Sequence, residues 1–202
     1  MLLIRLHLFS ITLVMATFGQ IAEAVAFKKF GADWTHTRSR PRIDGSFEIC
    51  LANAPLGAVS AIRAGSAVWN YRKFKFSFKA EGCGSSAAFP VKNDVNQIDF
   101  GPVDNDIPGE SKVYYDGESI TECDIRFNSA LNWNVSDKSP LYNQWDLISV
   151  AAHEFGHCLG LADENKPFLK NEPIMNGMLG IGQIRRTLST NDRNGRNSIY
   201  GK

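Results

Sequence analysis

The stretch Asp146–Leu161 constrains this chain more than any other, because it reads as a buried helix with His153-Glu154-Phe155-Gly156-His157 at its centre. At 100° per residue, His153 and His157 fall about 40° apart on one edge and one turn apart along the axis, so both imidazoles can reach one metal ion. Leu147, Val150, Ala151, Cys158 and Leu161 share the adjacent stripe, which faces a core. Glu154 follows the first His, where its carboxylate can reach a water on the metal rather than the metal itself. Gly160 suits a left-handed residue that ends the helix, and such a turn can bring Asp163 back as a third ligand. Three protein ligands with a fourth position left to water is the catalytic form of a zinc site. Two histidines packed in a core are the plainer alternative, and they leave Gly160 and Asp163 without a reason.

Composition narrows the partners. Lys plus Arg (22) nearly cancels Asp plus Glu (21), and the net charge of +1 supplies no field to draw nucleic acid or anionic lipid. Residues 1–24 read as a secretory signal peptide: Arg5, an apolar run Leu8–Phe18, then Ala22-Glu23-Ala24 at the cleavage positions. The run is shorter than the roughly 20 apolar residues that span a bilayer. The expectation is export to the extracellular space, or to a periplasm, with no membrane attachment after cleavage. In an oxidising compartment Cys50, Cys83, Cys123 and Cys158 suggest two disulfides, and counting leaves all three pairings open.

The mature chain divides into a polar lead-in, 25–43, and one domain, 44–202. Arg38, Arg40 and Arg42 place the lead-in in solvent. Ser46–Leu51 reads as a strand and Leu56–Tyr71 as an amphipathic helix. Lys73–Lys79 alternates with period two, giving one aromatic and one basic face; without a wider basic excess it reads as a half-buried strand, not a nucleic-acid platform. Short strands follow at Gln97–Phe100, Lys112–Tyr115 and Ile125–Phe127. Asp104-Asn105-Asp106 offers oxygens to calcium but lacks the full loop pattern, so a polar turn is expected there. Asn134-Val135-Ser136 is a glycosylation sequon.

His153-Glu154-Phe155-Gly156-His157-Cys158-Leu159-Gly160-Leu161-Ala162-Asp163 resembles the long zinc signature of the metzincin metallopeptidases, and the chain from about residue 33 onward resembles their matrixin branch. The family's usual third ligand is His; here the matching position is Asp163. Pro173-Ile174-Met175-Asn176 resembles the Met-turn, which places Met175 beneath the metal. Leu188–Tyr200 resembles the closing helix, where two adjacent acids are common; Asn191 before Asp192 implies that one anchor is missing. Cys123–Trp133 resembles the edge strand that pairs with extended substrate. The resemblance implies an α+β zincin fold, a mostly parallel sheet with an antiparallel edge strand, packed on a backing helix and the zinc helix. It also implies the pairs Cys123–Cys158 and Cys50–Cys83. The lead-in has no Cys to block a zinc, and His36, His153 and His157 are too few for a second, structural zinc site, so a minimal domain without that latency device is expected.

The function implied is zinc-dependent hydrolysis of internal peptide bonds by a monomer, with zinc on His153, His157 and Asp163 and Glu154 as general base and then acid. Substrate would lie as an extended strand beside residues 123–128. Glu172 is a rival third ligand, and an exported binding protein that kept the fold without activity is the non-enzymatic alternative.

Overall fold

A computed structural model describes residues 27–31, 33–34, 46–71, 74–79, 83, 89–104, 107–164 and 172–201. Residues 1–24, most of the lead-in with His36, Arg38, Arg40 and Arg42, and the Asn105-Asp106 pair lie outside the described residues. The elements run β1 (Asp33–Trp34), β2 (Ser46–Ile49), α1 (Ala58–Ala67), β3 (Ser77–Phe78), β4 (Asn96–Gly101), β5 (Gly109–Asp116), β6 (Ser119–Asn128), β7 (Trp133–Asn134), β8 (Trp145–Asp146), α2 (Leu147–Cys158) and α3 (Thr190–Tyr200).

Parallel pairs join β3 to β2, β2 to β4, and β4 to β6. The ladder from β5 to β6 is antiparallel and runs along 119–127. A strand has two edges, so with β5 on one, β6 shares the other between β1 at its start and β4 at its end. This is the α+β arrangement expected, with one correction. The antiparallel edge strand is β5, not the segment 123–128, whose edges are both taken. The edge role was implied for 123–128 only by resemblance; in the fold the acids of β6 are buried, Glu122 accepting the amides of Asn93 and Asp94, and Asp124 that of Gln97.

Two other expectations shorten. The helix starts at Ala58 because Gly57 takes a left-handed φ of 93° ahead of it, which leaves Leu56 in solvent. Among the described residues 74–79 only Ser77–Phe78 joins the sheet, since Phe74 pairs back onto Tyr71. The alternation still holds: Phe74 and Phe76 are buried while Lys75 and Lys79 are exposed. Phe76 and Phe47 pack on Phe155 of α2, and Phe74 packs edge-on against Phe76. Helices α1 and α2 approach closely at Gly65, where a Cβ would lie 2.7 Å from that of Ala151. Disulfides join Cys50 to Cys83 and Cys123 on β6 to Cys158 at the end of α2. The sequon asparagine is occupied: Asn134 is buried, and its amide donates to Lys138 O and Asp146 Oδ1. No helix among the described residues is long and apolar enough to cross a membrane.

Candidate metal centre

Helix α2 is fixed at both ends. Asp146 caps its start, accepting from the Ser149 amide and hydroxyl at 3.0 and 2.6 Å and pairing with Arg186. At its end Gly160 adopts a φ of 107°, its amide donates to His157 O, and the Leu161 amide donates to Gly156 O. That pair of bonds is the Schellman turn which Gly160 suggested. The next carbonyls find side-chain donors: Trp34 Nε1 on Cys158 O at 2.7 Å and the Tyr200 hydroxyl on Leu159 O at 2.8 Å. No terminal carbonyl from Phe155 to Leu159 is left over. A mid-helix carbonyl, Ala152 O, also accepts Trp69 Nε1.

The turn returns Asp163 to the histidine edge. His153 Nε2 and His157 Nε2 are 3.1 Å apart, and Asp163 Oδ1 lies 3.1 and 3.5 Å from them. Tetrahedral zinc with bonds of 2.0–2.1 Å sets neighbouring ligand atoms about 3.3–3.4 Å apart, so the three fit one ion. Their protonation fits too. His153 Nδ1 bonds Ile174 O at 2.8 Å and His157 Nδ1 bonds Leu161 O at 2.9 Å; a carbonyl only accepts, so each Nδ1 carries a proton, and Nε2 is the atom that each ring, when neutral, has left for a metal. Asp163 Oδ1 is buried without a hydrogen-bond partner. Three acceptors facing one point call for a cation. The imidazoles of His153 and then His157 hold the Asp163 carboxyl well below the usual carboxylate range. Burial pulls the His157 imidazole down, but Asp163 and the Glu154 charge outweigh it and leave it raised. These three residues form the only such metal-ligand group among the described residues.

Glu172, the rival ligand, instead pairs with Arg185. Glu154 is buried, and it lines a cleft of about 620 Å³ together with His153, His157 and Asp163. Gly109, Ser111 and Val113 of β5 form one wall; Val150, Asn176 and Leu179 also line it. Met175 packs against α2, and a Cβ on Gly156 would run into its sulfur and sit 2.8 Å from Trp69. The bare Gly156 is therefore what lets the Met-turn approach.

A profile of the matrixin family matches residues 75–201, more than half of the chain. This chain is a matrixin. It is 35% identical to human (Homo sapiens) matrix metalloproteinase-25 over 90 residues, 45% of this chain and 16% of that protein. It is 33% identical to rat (Rattus norvegicus) stromelysin-3 over 81 residues, 40% and 14% of the two chains. The match thus spans about a sixth or less of the length of these relatives.

Asp192, the acid that the resemblance left as the closing helix's anchor, and Glu164, which was not singled out, both shape this matrixin's site. Asp192, in a capping box with Ser189, accepts the Ile174 amide at 2.9 Å and the Met175 amide at 3.3 Å. It therefore fixes the carbonyl that orients His153. The Ser-x-x-Asp pattern at 189–192 was the available signal. Glu164 accepts from the Asn191 amide, and its own backbone N–H donates to Met175 O at 2.7 Å. Asn191 is thus an anchor after all, matched to an acid beside Asp163. Within the lead-in, residues 28–31 are exposed, as a solvated segment should be, but the backbone of Lys28–Phe30 also pairs with residues 160–162 of the turn after α2.

Proposed function

We propose that this matrixin is an exported, monomeric zinc endopeptidase whose ligands are His153, His157 and Asp163, with residues 1–24 as its signal peptide and 44–202 as its catalytic domain. Zinc is the metal matrixins use, and when bound it supplies Lewis-acid chemistry to a water and to the scissile carbonyl. The observation that carries the reading is the convergence of three acceptor atoms at a cleft that also holds a buried carboxylate, Glu154.

Each residue then has one task. His153 and His157 keep their Nδ1 protons on carbonyls and offer Nε2. Glu154 takes the proton of the attacking water and returns it to the leaving amine. The outer edge of β5, which pairs with no strand among the described residues, offers main-chain donors and acceptors to an extended polypeptide. Met175 supports the histidines from below.

The test is Glu154→Ala beside wild type, with zinc per chain measured by metal analysis and cleavage of casein followed with and without a chelator. The variant should keep one zinc and lose nearly all turnover. Chelator-insensitive cleavage, or unchanged cleavage by the variant, refutes the reading.

A further inference from the structure

Strand β5 has two faces. Gly109 turns toward the cleft, where a Cβ would lie 3.4 Å from Glu154 Cγ, and Ser111 and Val113 follow it on the cleft wall. By the two-residue period of a strand, Glu110 and Lys112 stand on the opposite face, and both are exposed. In the register with β6, Glu110 lies across from Arg126 and Lys112 from Asp124, so each charge has an opposite charge beside it. Neither neighbour is free to pair. Arg126 is held by Asp99 through hydrogen bonds of 2.9 and 2.6 Å and lies over the Phe89 ring. Asp124 is buried and accepts the Gln97 amide at 3.0 Å.

Among the described residues, the Glu110 and Lys112 side chains therefore have neither a hydrogen bond nor an ion pair. Burial raises the Glu110 carboxyl above the ordinary carboxylate value, and the Arg126 charge, which pulls it down, does not cancel that. On their other side lies the open edge of β5, where an extended polypeptide would add its main chain. Its side chains alternate between the two faces, so those that stand across from Glu110 and Lys112 are two residues apart. Opposite charges across a strand pair stabilise the pairing, and like charges weaken it.

We propose that Glu110 and Lys112 act as a charge register for substrate, selecting a polypeptide that carries a basic and an acidic residue two positions apart on the face turned away from the metal centre. The inference rests on the peptidase reading of the open edge and adds the substrate class to it. Lys or Arg falls beside Glu110, and Asp or Glu beside Lys112. The reverse order sets two like-charged pairs across the same edge.

The experiment uses peptides with one cleavable bond, in which Lys-Ala-Glu or Glu-Ala-Lys is stepped along the positions on either side of it. At one placement wild type should cleave one order about tenfold faster than the other in kcat/KM at low salt, as two exposed cross-strand pairs supply. In about 0.5 M NaCl the ratio should fall to about twofold or less. The double exchange Glu110→Lys with Lys112→Glu should reverse the preferred order at one zinc per chain, a result that general damage to the edge cannot give. Glu110→Gln, which adds no charge to the strand, should lower the ratio to about threefold. Equal cleavage of both orders at every placement, a ratio unmoved by salt or by Glu110→Gln, or a double exchange that keeps the wild-type order overturns the proposal. The same peptides are titrated against zinc-loaded Glu154→Gln protein, with and without the double exchange. If no form turns over, the peptidase reading falls, yet binding that favours one order and reverses with the exchange still supports the register. Equal or undetectable binding of the two orders overturns it.

Discussion

Asp192→Asn tests whether the metal site is built from the closing helix inward. The Asp192 carboxylate accepts three backbone amides: Ile174 at 2.9 Å, Met175 at 3.3 Å and Ser189 at 2.7 Å. Asparagine keeps one oxygen. With that oxygen on Ile174 and Ser189, which share Oδ2, the new amide group faces the Met175 N–H, so two donors meet in a buried place. Loss of one charge-assisted bond and of its partner's satisfaction costs about 2–4 kcal/mol. The second effect travels through Ile174 O, which holds the His153 Nδ1 proton. Loosening a carbonyl that orients a ligand costs about 10- to 100-fold in metal affinity. Denaturant unfolding of the apo protein reads the first quantity, and competition against a chromophoric chelator, at a temperature where the variant is folded, reads the second. Ser189→Ala is the control: it removes the cap bond to the Asp192 amide, worth about 1 kcal/mol, and leaves the Met-turn amides paired. Asp192→Asn with lowered stability but zinc affinity within about twofold of wild type would refute the relay.

Two further substitutions probe other contacts. Gly156→Ala should destabilise by about 2–3 kcal/mol or more, because the new methyl meets the Met175 sulfur and Trp69; melting curves within 1 °C of wild type would show that the Met-turn is not pressed on the helix. Asp124 is pushed up to about 7, first by burial and then, against the Gln97 amide, by Glu122 and Asp99. A carboxyl raised in the folded state binds more protons there than when unfolded, so wild-type stability should fall as pH rises from about 4 to about 7. Asp124→Asn keeps an acceptor for Gln97 and should flatten that decline, adding about 1 kcal/mol above pH 7; urea midpoints across the range decide it.

Helix α2 was legible because two independent periodicities coincide in it: a 3.6-residue apolar stripe and an i, i+4 histidine pair on its border. Its end was legible because Gly160 is the one residue there that adopts φ 107° without strain. Neighbour relations were harder to read. A strand's residues state which face is apolar but not which strand lies alongside, so Gly109–Asp116 and Ser119–Asn128 could not be ordered, and resemblance assigned the edge role to the latter, which carries the acids Glu122 and Asp124. Those acids are satisfied by amides from the 93–97 segment, a long-range arrangement that no local pattern announces. Likewise the docking of Phe27–Gly31 uses backbone groups of residues 160–162, and backbone groups carry no sequence signature. The helix α1 pattern ran on past Ala67 because Trp69 keeps the apolar spacing, although its indole is turned to Ala152 O.

The Cys123–Cys158 bond bears on the same site from a different side. It ties β6 to the residue after His157, and both cysteines are fully buried. For a sequence separation of 35, closing the loop removes chain entropy from the unfolded state worth about 4 kcal/mol at 25 °C. A chain with few described helices and a short sheet gains a large share of a total stability of about 5–15 kcal/mol in this way. Replacing both cysteines by alanine should therefore lower the unfolding free energy by about 3–5 kcal/mol, the sulfur volume included. Because both sulfurs are shielded, reductant should act on wild type only through unfolding, so thiol release should follow the unfolding rate and slow when zinc is added. Rapid reduction at full native signal, or a double variant within about 1 kcal/mol of wild type, would show that the bond does not hold the end of the zinc helix in place.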